Sequence, residues 1–300
     1  MSERVIMNFE QFTTQVCALV QNRVGDECKI TTRNVLKNNS VKLLGLVIQR
    51  PGINVSPTIY LDDLFERYVN GLSIDDVVDI IIDCEEKNHS NHSIDADMFM
   101  DFDRIREKIF LKFINTERNE ELLLDVPNRS FMDLSVVYYL DLNCDCCANA
   151  VSLIHNNQLD VWDVTESELY NEALNNIKRE LPDSLINMRD LVYELSGETL
   201  PEIPEEPEMY VYTNRNRFYG AGLVFLFDNA GKFAKKHGSF FVLPSSIHET
   251  ILVPDSLDID RDYLKDMVYT INRTEVDEDE LLSDNVYHFD AEKACFNILN

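Results

Sequence analysis

A mixed α+β fold is predicted for this chain, and three observations predict it. Apolar residues recur at i, i+3, i+4 and i+7 in several windows, the period of a helix with one buried face. Between those windows lie short runs rich in Val, Ile, Phe and Tyr, bounded by Asn, Ser, Gly or Pro, as strands are. The composition, 45% hydrophobic and 27% charged with nine Gly and nine Pro, is that of a packed globular protein.

Taken in order, Asn8 to Asn22 reads as an amphipathic helix with Phe9, Phe12, Val16, Leu19 and Val20 on one stripe. Lys29 to Leu36 and Val41 to Gln49 read as strands. The polar residues Lys37-Asn38-Asn39-Ser40 between them tolerate turn dihedrals, which predicts a hairpin. Ser56-Pro57 predicts an N-cap with proline at the first helical position, opening a helix to about Asn70 that ends before Gly71. Ser73 to Lys87 is the clearest helix: Ile74, Val77, Val78, Ile81 and Ile82 face inward, and Asp75, Asp76, Asp79 and Asp83 largely outward.

Phe102 to Asn115 suits either strand or helix, and Phe131 to Leu142 suits a strand. Thr165-Glu166-Ser167-Glu168 has the form of a capping box, in which hydroxyl and carboxylate each satisfy an orphan backbone N–H, and opens a helix to about Glu180. After the linker described below come a strand (Met209 to Thr213), helical segments (Gly220 to Phe227 and Asn229 to His237) and a strand (Ser239 to Leu243), with Gly238 as an αL cap. A helix from Arg261 to Asn272 and a short strand at Val286 to Phe289 close the chain. Glu275 to Asp284 reads as a solvated acidic turn interrupted by Leu281 and Leu282.

A length of 300 residues favours two domains. Leu200-Pro201-Glu202-Ile203-Pro204-Glu205-Glu206-Pro207-Glu208 cannot form a regular helix and is stiffened by proline. The expected organisation is therefore a mixed α+β domain over 1–200 with antiparallel strands and amphipathic helices, a Pro/Glu-rich linker at 201–208, and a smaller α/β domain over 209–300.

Charge narrows the function classes. Against 27 Lys and Arg stand 54 Asp and Glu, a formal net charge of −27. Such a surface repels phosphate backbones and anionic membranes, so neither direct nucleic-acid binding nor membrane binding is expected, and a basic protein partner is. No run is long and apolar enough to cross a bilayer, and no apolar stretch follows the first charges as in a signal peptide. The seven cysteines, Cys17, Cys28, Cys84, Cys144, Cys146, Cys147 and Cys295, are odd in number and scattered, which suits a reducing cytoplasm better than a disulfide framework.

Few residues could carry chemistry. Ser246, His248 and Glu249 place a nucleophile, a base and a carboxylate at the end of an expected strand, as a hydrolase or transferase would require. Against this, no Gly-x-Ser-x-Gly elbow is present, and Ser246 with Glu249 equally matches a capping box opening a short helix. Cys144, Cys146, Cys147 and His155 lack the spacing of a zinc site, so no metal is expected. Asp258, Asp260 and Asp262, like Asp95, Asp97, Asp101 and Asp103, miss the glycine or ligand positions of a calcium loop. Phe218-Tyr219-Gly220-Ala221-Gly222 lacks the lysine of a phosphate cradle, so its small residues suit close packing, and no cofactor is expected. Asn214, Arg215 and Arg217 form the one locally basic spot among aromatics and are candidates for binding an anion or a partner.

Several stretches resemble a family of uncharacterised proteins from anaerobic Gram-positive bacteria. They are Lys37-Asn38-Asn39, Leu44-Gly45-Leu46, Ser56-Pro57-Thr58-Ile59-Tyr60, Trp162 to Asn175, Tyr212-Thr213-Asn214, Gly220-Ala221, Leu243 to Glu249 and Leu282 to Tyr287. The Leu-Pro-Ser-Ser-Ile-His-Glu run is the most specific of them. The resemblance spans nearly the whole chain and implies a bacterial, cytoplasmic protein carrying a domain of unknown function, without implying an activity. The reading that follows is an acidic binding protein for a basic partner, non-enzymatic in preference to a hydrolase or transferase built on Ser246, His248 and Glu249.

Overall fold

A computed structural model describes residues 6–54, 56–88, 96–142, 151–197, 208–257 and 259–299. The chain divides into two compact units: Met1–Lys37, Val41–Arg104 and Asp141–Ser152 form the first, and Asn38–Ser40, Ile105–Leu140 and Leu153–Asn300 the second.

In the first unit, α1 (Phe9–Val24) begins at Asn8, whose side chain accepts from Gln11 N while Gln11 reaches back, a reciprocal cap. The predicted hairpin follows as β1 (Lys29–Leu36) and β2 (Lys42–Gln49), paired antiparallel from Lys29↔Gln49 to Leu36↔Lys42. The helix expected from Ser56-Pro57 starts later. Thr58, Ile59 and Tyr60 instead pair with β2 as β3 (Thr58–Tyr60), and α2 (Leu61–Val69) begins beyond them. A β-branched pair beside an available strand edge outweighs the proline signal there. Asp62 then accepts from Leu44 N at 2.7 Å, tying α2 to β2. α3 (Ile74–Asn88) buries Val77, Val78 and Ile81 against Phe12, Val16 and Val20 of α1 and Leu46 and Ile48 of β2.

Phe102 to Asn115 is helix and then strand. α4 (Phe102–Ile105) precedes β4 (Ile109–Asn115), a strand buried along nearly its whole length. α5 (Glu120–Leu123), β5 (Asn128–Phe131) and β6 (Leu134–Asp141) complete a sheet that runs in the order β4–β6–β5. β7 (Val151–Leu153), α6 (Asn156–Trp162) and α7 (Glu166–Glu180) come next. The Thr165 capping box forms as predicted, and Asn176 of α7 fastens the helix to β4 by donating to Arg106 O and Ile109 O.

The largest sheet has six strands, all antiparallel: β8 (Asp183–Asn187), β9 (Tyr210–Asn214), β10 (Phe240–Leu243), β11 (Thr250–Pro254), β12 (Tyr287–Asp290) and β13 (Cys295–Ile298), in the order β13–β12–β10–β11–β9–β8. α8 (Met188–Ser196), α9 (Asn229–His237) and α10 (Arg261–Thr274) accompany it, and α10 buries Leu264 and Val268 against Phe241, Leu243 and Val253. The class is thus mixed α+β. The sheet joins β8 to β9 across the expected linker at 201–208, of which residues 201–207 lie outside the described residues. The two compact units therefore divide the chain elsewhere than at 201–208.

Residues 221–225 are helical as expected, in the form of a 3-10 helix, and Gly222 within it is pressed so closely on the Phe113 ring that a Cβ would lie 1.9 Å from it. Two local expectations change. Gly238 ends α9 with φ 75° and ψ −157°, outside αL. The Glu275–Asp284 stretch is a solvated turn only in its first part: Glu275, Asp277 and Glu278 are exposed, whereas Leu281, Leu282 and Ser283 are buried. Of the acidic clusters, Asp260 caps α10 by accepting from Asp262 N, while Asp95 and Asp258 lie outside the described residues.

Candidate functional site

The segment between β10 and β11 carries Ser246, His248 and Glu249. It is an irregular loop, not the short capped helix allowed by Ser246 and Glu249. Ile247 N donates to Glu280 O at 2.8 Å, which holds the loop against the start of the buried 281–283 stretch. Ser246 Oγ accepts from His248 N at 3.1 Å, a local hydroxyl turn in which the serine serves its own backbone.

His248 is the centre of the arrangement. Its carbonyl accepts from Gly220 N at 2.9 Å and from Thr213 Oγ1 at 2.7 Å. Its Nδ1 accepts from Tyr219 N at 3.2 Å, which leaves the proton of the neutral ring on Nε2, and Nε2 lies 3.3 Å from Glu280 Oε1. The ring stacks on Tyr219, 5.3 Å between centroids with planes 10° apart, and meets Phe218 at a tilt of 36°. Tyr219 also meets Lys112, whose Nζ stands 4.0 Å from its ring centroid, Tyr139, edge-on, and the Phe218 ring at 3.9 Å.

The turn that presents Tyr219 is built by Asn214. Its Oδ1 accepts from Asn216 N and Phe218 N, and its Nδ2 donates to Phe218 O at 2.7 Å. Arg217 and Tyr219 both take positive φ, 53° and 54°, so the turn is tight. Gly220 is required because a Cβ there would fall 2.5 Å from Asn214 N.

The sequence-predicted residues are therefore only partly brought together. Ser246 and His248 meet through backbone rather than through the imidazole. Glu249 makes no hydrogen bond or ion pair among the described residues, and the carboxylate at the ring is Glu280. Asn214 is buried and spends its amide on its own turn. Arg215 is exposed, and Arg217 pairs with Glu194 at 3.0 Å. Those three do not converge on one point. Cys144, Cys146 and Cys147 lie outside the described residues, and His155 pairs with Asp125 at 2.7 Å. Among the described residues no group of His, Cys, Asp and Glu has the arrangement of a metal site.

What the sequence did not single out is Glu280, together with the polar support beneath it. Asn39 donates through Nδ2 to Glu278 O and Leu281 O, and exchanges hydrogen bonds with Asn119. Asp133 receives Ser283 Oγ, Asn285 Nδ2 and Tyr287 Oη, all within 2.9 Å. Burial raises the Tyr287 hydroxyl far above its ordinary pKa, so it remains a donor to that carboxylate. The available signal was the pair Leu281-Leu282 inside an acidic run: buried leucines oblige neighbouring backbone groups to find partners. Thr213, Asn214, Gly220 and the Ser246–Glu249 loop thus meet in one place, and their contacts are chiefly backbone support.

A model of a family of unknown function, DUF5688, matches residues 9–291. No curated protein and no solved structure matches the chain.

Proposed function

Since the chain belongs to the DUF5688 family, whose function is unknown, we propose from the structure that this protein is a non-catalytic module of the bacterial cytoplasm that binds a basic protein partner. The outer face of α3 is the observation that carries this reading. Asp75, Asp79, Asp83 and Glu86 follow one another at intervals of four, four and three residues and are all exposed. Like charges at that spacing weaken a helix by roughly 0.2–0.5 kcal/mol per pair. Arg23 offsets the charge of Asp79 at 3.0 Å, while Asp75 and Asp83 have no cation partner among the described residues. A helix that tolerates this repulsion suits a surface whose counter-charge comes from another molecule.

The His248 geometry supports the non-catalytic side of the reading. A general base must offer a lone pair to the nucleophile's hydroxyl, and the Nδ1 lone pair of His248 is occupied by Tyr219 N–H while Nε2 faces Glu280. A reducing compartment is supported by Cys17, Cys28, Cys84 and Cys295, which are all free thiols. No helix among the described residues is long and apolar enough to cross a membrane.

The test is affinity capture from host lysate at low and then high ionic strength, with an Asp75→Lys, Asp83→Lys variant beside the wild type. A stoichiometric basic protein held by the wild type, released by salt and absent from the variant, is the expected result. A partner indifferent to both salt and variant, or none at either salt, overturns the reading.

A further inference from the structure

A cleft of about 320 Å³ opens in the second unit where three elements meet: the last turn of α7, the start of β8 and the first turn of α9. Ile177, Leu181, Leu223 and Phe227 give it an apolar body. Lys178 and Lys232 give it charge. On a chain with twice as many acidic as basic residues, two lysines at one cleft are a local reversal of sign.

Neither ammonium is neutralised by a carboxylate among the described residues. Lys178 Nζ stands 4.6 Å from the Phe227 ring centroid, and Lys232 Nζ donates to the neutral Asn229 Oδ1 at 3.1 Å. Neither has a carboxylate partner among the described residues, although ion pairs are frequent elsewhere on this chain. The one carboxylate that lines the cleft, Asp183, accepts from Tyr212 Oη at 3.0 Å. The cleft therefore holds an excess of positive charge beside an apolar floor.

Phe227 adds a second kind of evidence. The residue is 41% exposed, and its backbone takes φ 58°, a left-handed conformation that a bulky side chain rarely adopts. An exposed aromatic ring held in a strained conformation at the rim of a concave apolar site is a pattern of ligand recognition. A ring face with a lysine above it also offers a flat stacking surface next to a cation.

We propose that this cleft is a binding site for a small organic anion: a carboxylate or phosphate carried on a flat apolar body, the charge between Lys178 and Lys232 and the body against Phe227 and Leu223. Lysine is a point-charge donor that accepts either anion without the bidentate geometry of arginine. The volume is at the lower end of that of small-molecule sites, which limits the ligand to about one ring and its anionic group. This site is separate from the acidic face of α3 and does not depend on it.

The experiment is calorimetric titration of the full chain with phenyl phosphate and with benzoate, using benzyl alcohol as the uncharged counterpart. Saturable binding of at least one anion is expected, with benzyl alcohol at least tenfold weaker. The double substitution Lys178→Gln, Lys232→Gln should weaken the anion at least tenfold while leaving the thermal midpoint near that of the wild type. Phe227→Leu provides a second variant that keeps both charges and should weaken the aromatic anions more than inorganic phosphate. Benzyl alcohol binding as tightly as the anions, anion binding unchanged in the lysine variant, or no saturable binding of either anion would each overturn the proposal.

Discussion

His248 Nε2 stands 3.3 Å from Glu280 Oε1 while His248 Nδ1 accepts the Tyr219 N–H at 3.2 Å. A ring engaged on both sides and 18% exposed acts as a clamp between two loops. His248→Ala should therefore cost about 1–3 kcal/mol, since it removes the stacked ring and strands the Tyr219 N–H. His248→Asn, whose Oδ1 can stand in for Nδ1, should recover about 1 kcal/mol of that loss. Urea unfolding midpoints of the two variants decide it, and equal midpoints would refute the clamp.

Asn39 is the buried counterpart of that clamp. It sits at φ 59° and makes four hydrogen bonds, to Asn119 and to the carbonyls of Glu278 and Leu281. Asn39→Ala strands partners on two segments and puts alanine, which tolerates the left-handed region less well than asparagine, at that position, for a cost of about 2–4 kcal/mol. Asn39→Gly loses the same side-chain bonds without the backbone strain, so it should be milder by about 1 kcal/mol. Chemical denaturation of both variants measures the gap, and an Asn39→Gly variant no better than Asn39→Ala would remove the strain contribution.

The physics separates what could be read from what could not. α1, α3, α7 and α10 were legible because helix periodicity and capping are local: Thr165 and Glu168 make their box without help from elsewhere. The β1–β2 hairpin was legible for the same reason, since its turn residues lie between its strands. β3, β8, β11 and β13 have three to five residues each and exist because a neighbour offers hydrogen bonds, which no window along the chain displays. The site failed similarly. Glu249 adjoins His248 in sequence but is not its partner, whereas Glu280 reaches it from 32 positions away because Leu281 and Leu282 are buried.

His237 makes stability depend on mild acid. Its Nε2 is buried without a hydrogen-bond partner among the described residues, and its ring stacks on Phe233 at 4.4 Å. Burial, reinforced by Lys236 and opposed by Glu208, holds its pKa below the ordinary histidine value. The unfolded chain, titrating near ~6.5, then takes up the proton before the folded one. Stability from the neutral ring is complete above that pH and declines as pH falls through the window down to the depressed folded value. His237→Phe keeps the stack and removes the titration. Its urea midpoint should fall less than the wild type's between neutral pH and mild acid, and parallel curves would contradict the assignment.

Arg50 and Glu85 form a buried ion pair in the first unit, with Nε to Oε1 at 2.8 Å and Glu85 only 1% exposed. Arg50→Ala leaves a carboxylate in the interior without its cation and should cost about 3–5 kcal/mol. Replacing both, Arg50→Met with Glu85→Leu, removes the stranded charge and should recover most of that loss. A double variant as unstable as Arg50→Ala would mean that packing around the arginine stem, not the lost cation, sets the cost.

Asp83 tests whether the acidic face of α3 is held at the expense of stability. It follows Asp79 by four residues and lies in the second half of the helix, where the dipole favours a cation. Asp83→Lys converts a repulsive pair into an attractive one and should stabilise the chain by a few tenths of a kcal/mol. If the face serves a basic partner, the same change weakens that binding and flattens its salt dependence, because one steering charge has been reversed. Opposite signs for stability and affinity would mark the face as selected for binding. A variant that gains stability and binds its partner as before would assign the aspartates of α3 to solubility.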